Sequence, residues 1–559
     1  MARAATARRL LGQILKEQGV ISEGQIQEAL LEQRRHGGPI GSHLVARGAC
    51  TNGDVARALA VQAGLELVDL TRTSPSPEAL LAIDATTAHA FGVLPLVREG
   101  NRLLVALADP LNTALLEDLA FTTGLEVRGA LAEAEALRAL VKKHYGEEQS
   151  LADAVRDAAR ADVLDPNQAA SSAPVVRLLT SILQRAIKDR ASDVHFEVYG
   201  ADFRIRYRVD GALYEVEAPP AHLAPALIAR IKVLSDLDIA ETKLPQDGRI
   251  SFVIEGRPVD LRVATLPAVA GEGAVLRVLD RSSVSLDLDA LGFELEQRRT
   301  LSALTHLPSG IVLITGPTGS GKTTTLYALL AEVNDPSIKI ITVEDPVEYD
   351  IDGIVQIPIN EEIGVDYGRV LRTVLRQDPD KILVGEIRDA ETASVAIEAS
   401  LTGHTVFATV HTNDAPSAVT RLLDLGLEPY LLTATLEAIV AQRLVRKVCA
   451  NCRVEYVPEA EDLLELGPSA EALVGRTLVY GKGCVDCFHT GYRGRTALVE
   501  VLVVDDSVRQ AVLAGASTGE LRRLARRFGM RTLREAGLAA VVLGRTTLDE
   551  VMRETADLE

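Results

Sequence analysis

Residues 310–323 read GIVLITGPTGSGKT, a continuous apolar run followed by Gly316-Pro317-Thr318-Gly319-Ser320-Gly321-Lys322-Thr323. A glycine-rich stretch of this spacing, set between a buried strand and a helix expected from Thr323, is a P-loop. Its glycines expose backbone N–H groups to phosphate oxygens, and the helix N-terminus adds positive potential. Lys322 reaches the β- and γ-phosphates and Thr323 ligates Mg²⁺. Residues 316–323 and the adjoining Thr324 are the candidate nucleotide-binding residues.

Three further apolar runs, KIITVED, KILVGE and HTVFATVH, alternate with helical stretches and end in polar or charged residues. Buried strands alternating with helices predict a doubly wound, mainly parallel sheet with its site at the C-terminal ends of the strands. A P-loop needs an acid for the Mg²⁺ shell at a neighbouring strand end, and Glu386 of Lys381-Ile-Leu-Val-Gly-Glu386 supplies it. Glu344, Asp345 and Glu348 of IITVEDPVEY cluster past another strand end. A carboxylate there can orient and deprotonate the attacking water while its neighbours hold the metal's water shell. His411 follows the fourth strand and can contact the γ-phosphate, whereas His404 begins that strand.

Composition sets the frame for these motifs. The chain has 559 residues, 47% hydrophobic and 25% charged, enough for several folded domains. Acidic residues exceed basic ones by 78 − 59 = 19, and Trp is absent. Both features disfavour nucleic-acid binding. With no apolar run of 18 residues and a polar MARAATARRL start, the chain is expected to be soluble and unexported.

Four of the five cysteines form two pairs, Cys449-Ala-Asn-Cys452 and Cys484-Val-Asp-Cys487, separated by 31 residues. Four thiolates at this spacing predict closed tetrahedral zinc coordination, structural because no open position remains, with two knuckles closing a larger loop. Cys50 is expected to pack in a core.

An internal repeat occupies the first sixty residues: a shift of 29 superimposes Leu11, Gly12, Leu15, Gly19, Ser22, Ala29 and Leu30 on Ile40, Gly41, Leu44, Gly48, Thr51, Ala58 and Leu59. Each copy reads as a short helix, a Gly stop, a Ser or Thr N-cap and a second helix. Short apolar runs between 65 and 145 suggest a small α/β unit, and 146–172 reads as a partly helical linker. From Ala173 an amphipathic helix precedes HFEVY, FRIRYRVDG, RISFVIEGRPVDLRVATLP and AVLRVLD, the alternation of a mostly antiparallel sheet.

The P-loop, IITVEDPVEY, LRQDPDKILVGEIRD and TGHTVFATVHTNDAPSA in this order resemble the secretion ATPase superfamily that powers type II secretion and type IV pilus assembly. AIVAQRLVRKVCANC and GCVDCFHTGYRGRTALVEVL resemble the tetracysteine element of its extension-type motors, and the resemblance covers about 173–559. It implies a RecA-like ATPase core, a preceding α+β (PAS-like) domain, Glu348 as general base, Glu386 as the Walker B acid, and His404 and His411 in a His box. It also implies a cytoplasmic homohexamer, peripheral at the inner membrane, docked on a membrane platform and on the cytoplasmic domain of a membrane-bound partner. The expected segments are 1–145, linker 146–172, 173–280, the ATPase domain 281–440, the tetracysteine element 441–500 and a helical C-terminus 501–559.

The duplicated N-terminal half resembles the MshEN-type domain, which in some members binds cyclic di-GMP. LLGQILKEQGV and PIGSHLVARGA match its two ligand segments, with Leu10 where binding versions commonly place Arg. Partner docking and cyclic di-GMP binding both remain open.

Two alternatives share the P-loop core: a nucleic-acid translocase of the conjugation type and a low-turnover nucleotide sensor. The acidic balance and the tetracysteines argue against the first, and the presence of both Glu348 and Glu386 against the second. The motifs of the ATPase domain offer no arginine aimed at the transferring phosphate, and a trans arginine is the common remedy. The 173–280 domain provides Arg204, Arg206, Arg208, Arg249, Arg262 and Arg277. The resemblance points to its sheet as the trans contributor, with Arg262 and Arg277 first because they lie on the closing strands and Arg249 next because QDGR is a turn.

Overall fold

The computed structural model describes residues 10–556 except 37–38, 64, 71, 84–86, 89–91, 109–114, 117–118, 121–122, 146–150, 160–168, 171, 201, 255–256, 280–285, 460–462, 464–465 and 467–472. The chain divides into two compact units, Met1–Ser282 and Ser283–Glu559.

In the first unit the repeat folds as two matched helix pairs, Leu11–Glu17 with Glu23–His36 and Ile40–Ala46 with Asn52–Ala63. The equivalence extends to packing. A Cβ on Gly12 would meet Ile26 at 3.3 Å, and one on Gly41 would meet Val55 at 2.9 Å, so each glycine admits the apolar residue of its own second helix. Ser22 and Thr51 cap those second helices, accepting from the N–H groups of Gln25 (3.4 Å) and Asp54 (3.2 Å). Cys50 packs against this helical core, as expected. The following α/β segment forms a four-stranded sheet in the order 66–67, 126–131, 102–107, 94–99.

Much of the expected linker, 146–150 and 160–168, lies outside the described residues. Within it, Leu151–Ala159 is a helix whose Ala154, Val155 and Ala158 join the core built on Ala173–Lys188. Its small apolar face reads like a linker by composition yet is buried by tertiary packing.

Six antiparallel strands follow, in the order 212–216, 202–209, 193–199, 271–279, 257–268, 246–254. Val194, Phe196, Ile205, Tyr207, Leu261, Val263 and Leu276 face helices 173–188 and 224–234 and are buried. The alternate residues, which include all six candidate arginines, line the opposite face.

The second unit contains a seven-stranded sheet in the order 355–358, 340–344, 381–384, 405–410, 310–315, 436–448, 492–503. Its strands are parallel except 492–503, which runs antiparallel to 436–448. Apolar residues cover both faces: Leu313, Val384 and Ala408 pack on one side with helices 390–401, 415–424 and 518–527, and Val312, Ile314 and Phe407 on the other with helices 295–305 and 322–332. That two-sided burial is what the continuous apolar runs required.

The sheet does not stop at 440. Strand Leu436–Val448 pairs with the P-loop strand, and Tyr492–Val503 pairs with it in turn. The expected boundaries at 440 and 500 therefore fall inside strands, and the cysteine element is an insertion between neighbouring strands. Among the described residues no helix is long and apolar enough to cross a membrane.

Candidate active site

The P-loop turns at the end of strand 310–315, and helix Lys322–Glu332 begins one residue earlier than expected, capped by Gly321 at φ 86°. Gly316 has φ 147°, and a Cβ there would lie 2.4 Å from the Gln442 carbonyl oxygen. Only glycine fits this crossing. Lys322 Nζ donates to the carbonyls of Gly316 (2.8 Å) and Pro317 (3.1 Å), so its ammonium bridges the mouth of its own loop. Burial holds that ammonium below the usual lysine range; Glu386 partly offsets the shift and Arg443 adds to it.

The acids separate into two environments. Glu344 is buried, 3% exposed, and accepts from the Tyr327 hydroxyl, from Thr342 Oγ1 (2.5 Å) and from Gln356 Nε2 (3.3 Å). It is a structural carboxylate, fully engaged beneath the site. Tyr327 stands on the P-loop helix and also accepts from the Glu348 N–H at 3.4 Å, tying the acidic turn to that helix. Glu386 follows strand 381–384, with Oε2 accepting from Arg388 Nε (2.7 Å) and Oε1 lying 3.2 Å from His411 Nε2.

The two histidines part company. His404 lies at the start of strand 405–410, its Nδ1 2.8 Å from the Ala399 carbonyl and 3.1 Å from Thr402 Oγ1, and so finishes a helix. His411 lies at the other end of the strand, the end shared with the P-loop, since Thr315 pairs with Val410. Thr315 Oγ1 lies 2.8 Å from Thr412 Oγ1, which fixes the loop after His411 to the P-loop strand.

That loop is held from the far side by Glu500, 2% exposed on strand 492–503. Its carboxylate accepts from the N–H of Ala415 (2.8 Å) and of Leu533 (3.3 Å), the first residues of two helices, and burial pushes its carboxyl up to about 7. Asp414 beside it caps helix 415–424 through the Ser417 N–H (2.7 Å) and is paired with Arg522.

Sequence patterning missed strand 436–448 and with it two site residues. Gln442 Nε2 donates to the Ser320 carbonyl (2.8 Å), and its Oε1 accepts from Thr325 Oγ1 (2.9 Å), clamping the P-loop from behind. Arg443 donates to Asn413 O (3.2 Å) and Oδ1 (3.3 Å). The ATPase sheet therefore does hold arginines beside its site, Arg388 on Glu386 and Arg443 on Asn413, which the motif reading did not register. The signal for Gln442 and Arg443 was the polar interruption of LEAIVAQRLVRKV, the same feature that disguised the strand, whereas Arg388 lies two residues past Glu386 in LRQDPDKILVGEIRD.

In the other unit the candidate arginines fall on two kinds of rung. Arg249 pairs with Arg262, Arg262 with Arg277, Arg277 with Asp193 and Asp193 with Arg208, one transverse row across five strands. Like charges directly opposite one another are destabilising, so two successive Arg–Arg pairs are not a stability feature. By contrast Arg206 has its own partner in Glu197 (2.6 and 2.8 Å) and Arg204 in Asp202 (3.0 Å).

The four paired cysteines converge, with every Sγ within 4.8 Å of the others. Cys449–Cys484, Cys452–Cys487 and Cys484–Cys487 lie 3.9, 3.8 and 3.6 Å apart. Tetrahedral thiolates about 2.3 Å from a centre would be about 3.8 Å apart, so the set fits a four-coordinate metal. The N–H groups of Cys484 (3.1 Å) and Gly491 (3.3 Å) point at Cys487 Sγ, as they would at a thiolate. Strands 453–456 and 478–481 pair beyond the knuckles and close the loop.

A mainly parallel sheet with a P-loop on strand 310–315 and the acid Glu386 two strands away, after 381–384 and across 405–410, defines a RecA-like P-loop ATPase. The family profile described as type II/IV secretion system protein matches residues 168–553, and an MshEN domain profile matches 63–151, downstream of the duplicated helices. The type IV pilus assembly ATPase PilB of Myxococcus xanthus is 41% identical over 98% of this chain and 99% of its own length. Type II secretion system protein E of Xanthomonas campestris is 40% identical over 96% and 99%. In fold, the Legionella pneumophila ATPase DotB aligns with TM-score 0.51 at 22% identity, covering 67% of this chain and 94% of its own. The chain belongs to the type II/IV secretion ATPase family.

Proposed function

We propose that this chain is an ATP-hydrolysing motor of type II secretion or type IV pilus assembly, acting as a hexameric ring docked at the inner membrane. The observation that carries the ring is the arginine row on the sheet of the 173–280 domain, which we read as PAS-like, where Arg249 faces Arg262 and Arg262 faces Arg277 across the strands. A neighbour's nucleotide is the anion such a row suits. Thr323 and Glu386 would hold Mg²⁺, which would supply positive charge against the nucleotide's phosphates. Glu348 orients and deprotonates water, His411 reads the γ-phosphate through Glu386, and Lys322 leaves its loop carbonyls for the phosphates. Zinc at the four cysteines holds the insertion in place. The segments divide the work as docking module 1–145, linker, arginine domain, ATPase core 281–440 completed by the strands of 441–500, and helical C-terminus 501–559.

Arg262→Ala or Arg277→Ala subunits with an intact P-loop, mixed with Lys322→Ala subunits carrying intact arginines, should regain activity that neither has alone. A flat, inactive mixing curve from demonstrably mixed rings would count against the trans arginine.

For the N-terminal module we favour docking to the cytoplasmic domain of a membrane-bound partner, with cyclic di-GMP as a second ligand of segments 9–20 and 39–49. The repeat, two matched helix pairs, supplies the two similar surfaces that a pseudo-symmetric ligand needs. Calorimetry on the full chain should then show heat that Gly41→Leu removes; no heat at high micromolar ligand leaves docking alone.

A further inference from the structure

Asp193 is the only carboxylate with a place in the transverse arginine row, and it meets Arg277 on one side and Arg208 on the other. Its side chain is 13% exposed, whereas that of Arg277 is 62% exposed. Oδ1 accepts from Arg277 Nε at 3.2 Å, and Oδ2 accepts from Ser192 Oγ at 2.8 Å and lies 3.8 Å from Arg208 Nε. Arg208 is anchored separately, donating through Nη1 to the Gly211 carbonyl at 2.9 Å. The carboxylate is thus held by the serine and the strand pairing while it grips a mobile-length side chain.

The atom it grips matters. A guanidinium bonded through Nε keeps both terminal amino groups available, and these are the groups that engage a phosphate as a fork. The bidentate Glu197–Arg206 pair on the same face does the reverse, because it occupies Nη2 as well as Nε. Arg206 is consumed by its partner; Arg277 is only aimed by its own.

We propose that Asp193 is a positioning residue for hydrolysis, fixing Arg277 by its Nε so that the terminal amino groups meet the transferring phosphate of a neighbouring subunit without first being ordered. The inference rests on the trans-arginine reading above. Orientation set before the reaction lowers the barrier and leaves nucleotide affinity in place.

The experiment is a double-mutant cycle on the full-length protein with Asp193→Ala, Arg277→Ala and the double variant, measuring ATP turnover in assembled rings. Arg277→Ala should lose on the order of 10³-fold in kcat. Asp193→Ala should lose roughly tenfold in kcat with KM for ATP unchanged, and the double variant should be no worse than Arg277→Ala. Additive losses would assign Asp193 a purely structural role and overturn the proposal, as would wild-type turnover by Asp193→Ala beside an inactive Arg277→Ala. Wild-type turnover by Arg277→Ala would instead remove the trans-arginine reading itself. If Asp193→Ala does not fold, the same cycle with Asp193→Asn, judged by the same additivity, decides.

Discussion

Lys322→Ala should remove nucleotide binding and hydrolysis together, whereas Glu348→Gln should keep Mg-ATP binding and lose turnover. Lys322 is a half-buried ammonium that donates to the carbonyls of Gly316 and Pro317, acceptors whose place the oxygens of a phosphate take over. Its loss removes a charge from the ground state and the transition state alike, and turnover should fall on the order of 10³-fold or more. In the role proposed for it Glu348 would act only on the attacking water, so its loss should cost about 10²–10⁴-fold in turnover and little in affinity. Equilibrium binding of a fluorescent nucleotide and phosphate release, measured on the same preparations, separate the two. Near-normal hydrolysis by Glu348→Gln would take it out of the role of base. Glu344 is no substitute, because Tyr327, Thr342 and Gln356 already occupy its carboxylate.

One zinc per chain is expected, and Cys449→Ser or Cys487→Ser should release it and unfold the insertion. Structural zinc in small modules contributes about 10–16 kcal/mol of apparent binding free energy, which is folding free energy for the segment it closes. The effect should spread further than an appended domain would allow. The insertion leaves the sheet from strand 436–448, which carries Gln442 against Ser320, and returns along 492–503. Hydrogen exchange should therefore rise first across 449–491 and next along 436–448, with nucleotide affinity falling in parallel. Protein purified without chelator and found by metal analysis to contain no zinc would end this account.

Strands buried on both faces were legible because a continuous apolar run has no other economical home: 310–315, 340–344, 381–384 and 405–410 all form where the runs lie. Strand 436–448 was not, because five of its side chains, Glu437, Gln442, Arg443, Arg446 and Lys447, are polar, and Gln442 and Arg443 serve the loop and site beside them. The burial of helix 151–159, expected only as the helical part of a linker, was hidden for the opposite reason, its alanines packing well while carrying almost no signal. Motif spacing located the P-loop, Glu386 and the cysteines, since each depends on local order along the chain. Order along the strand already set His411 apart from His404, whereas spacing alone did not separate Glu344 from Glu348, because burial distinguishes them. The six arginines could be named from sequence as a group; only the register shows three of them abreast, with Asp193 next in line between Arg277 and Arg208.

The loop from His411 to Asp414 is fastened at both ends to different parts of the molecule. Thr315 grips it on the P-loop side, and Glu500 and Arg522 grip it on the side of the C-terminal helices. Regarded as a machine part, this is a welded joint: helices 518–527 and 533–542 are tied through two buried carboxylates, Asp414 and Glu500, to the segment that Thr315 fixes to the P-loop strand.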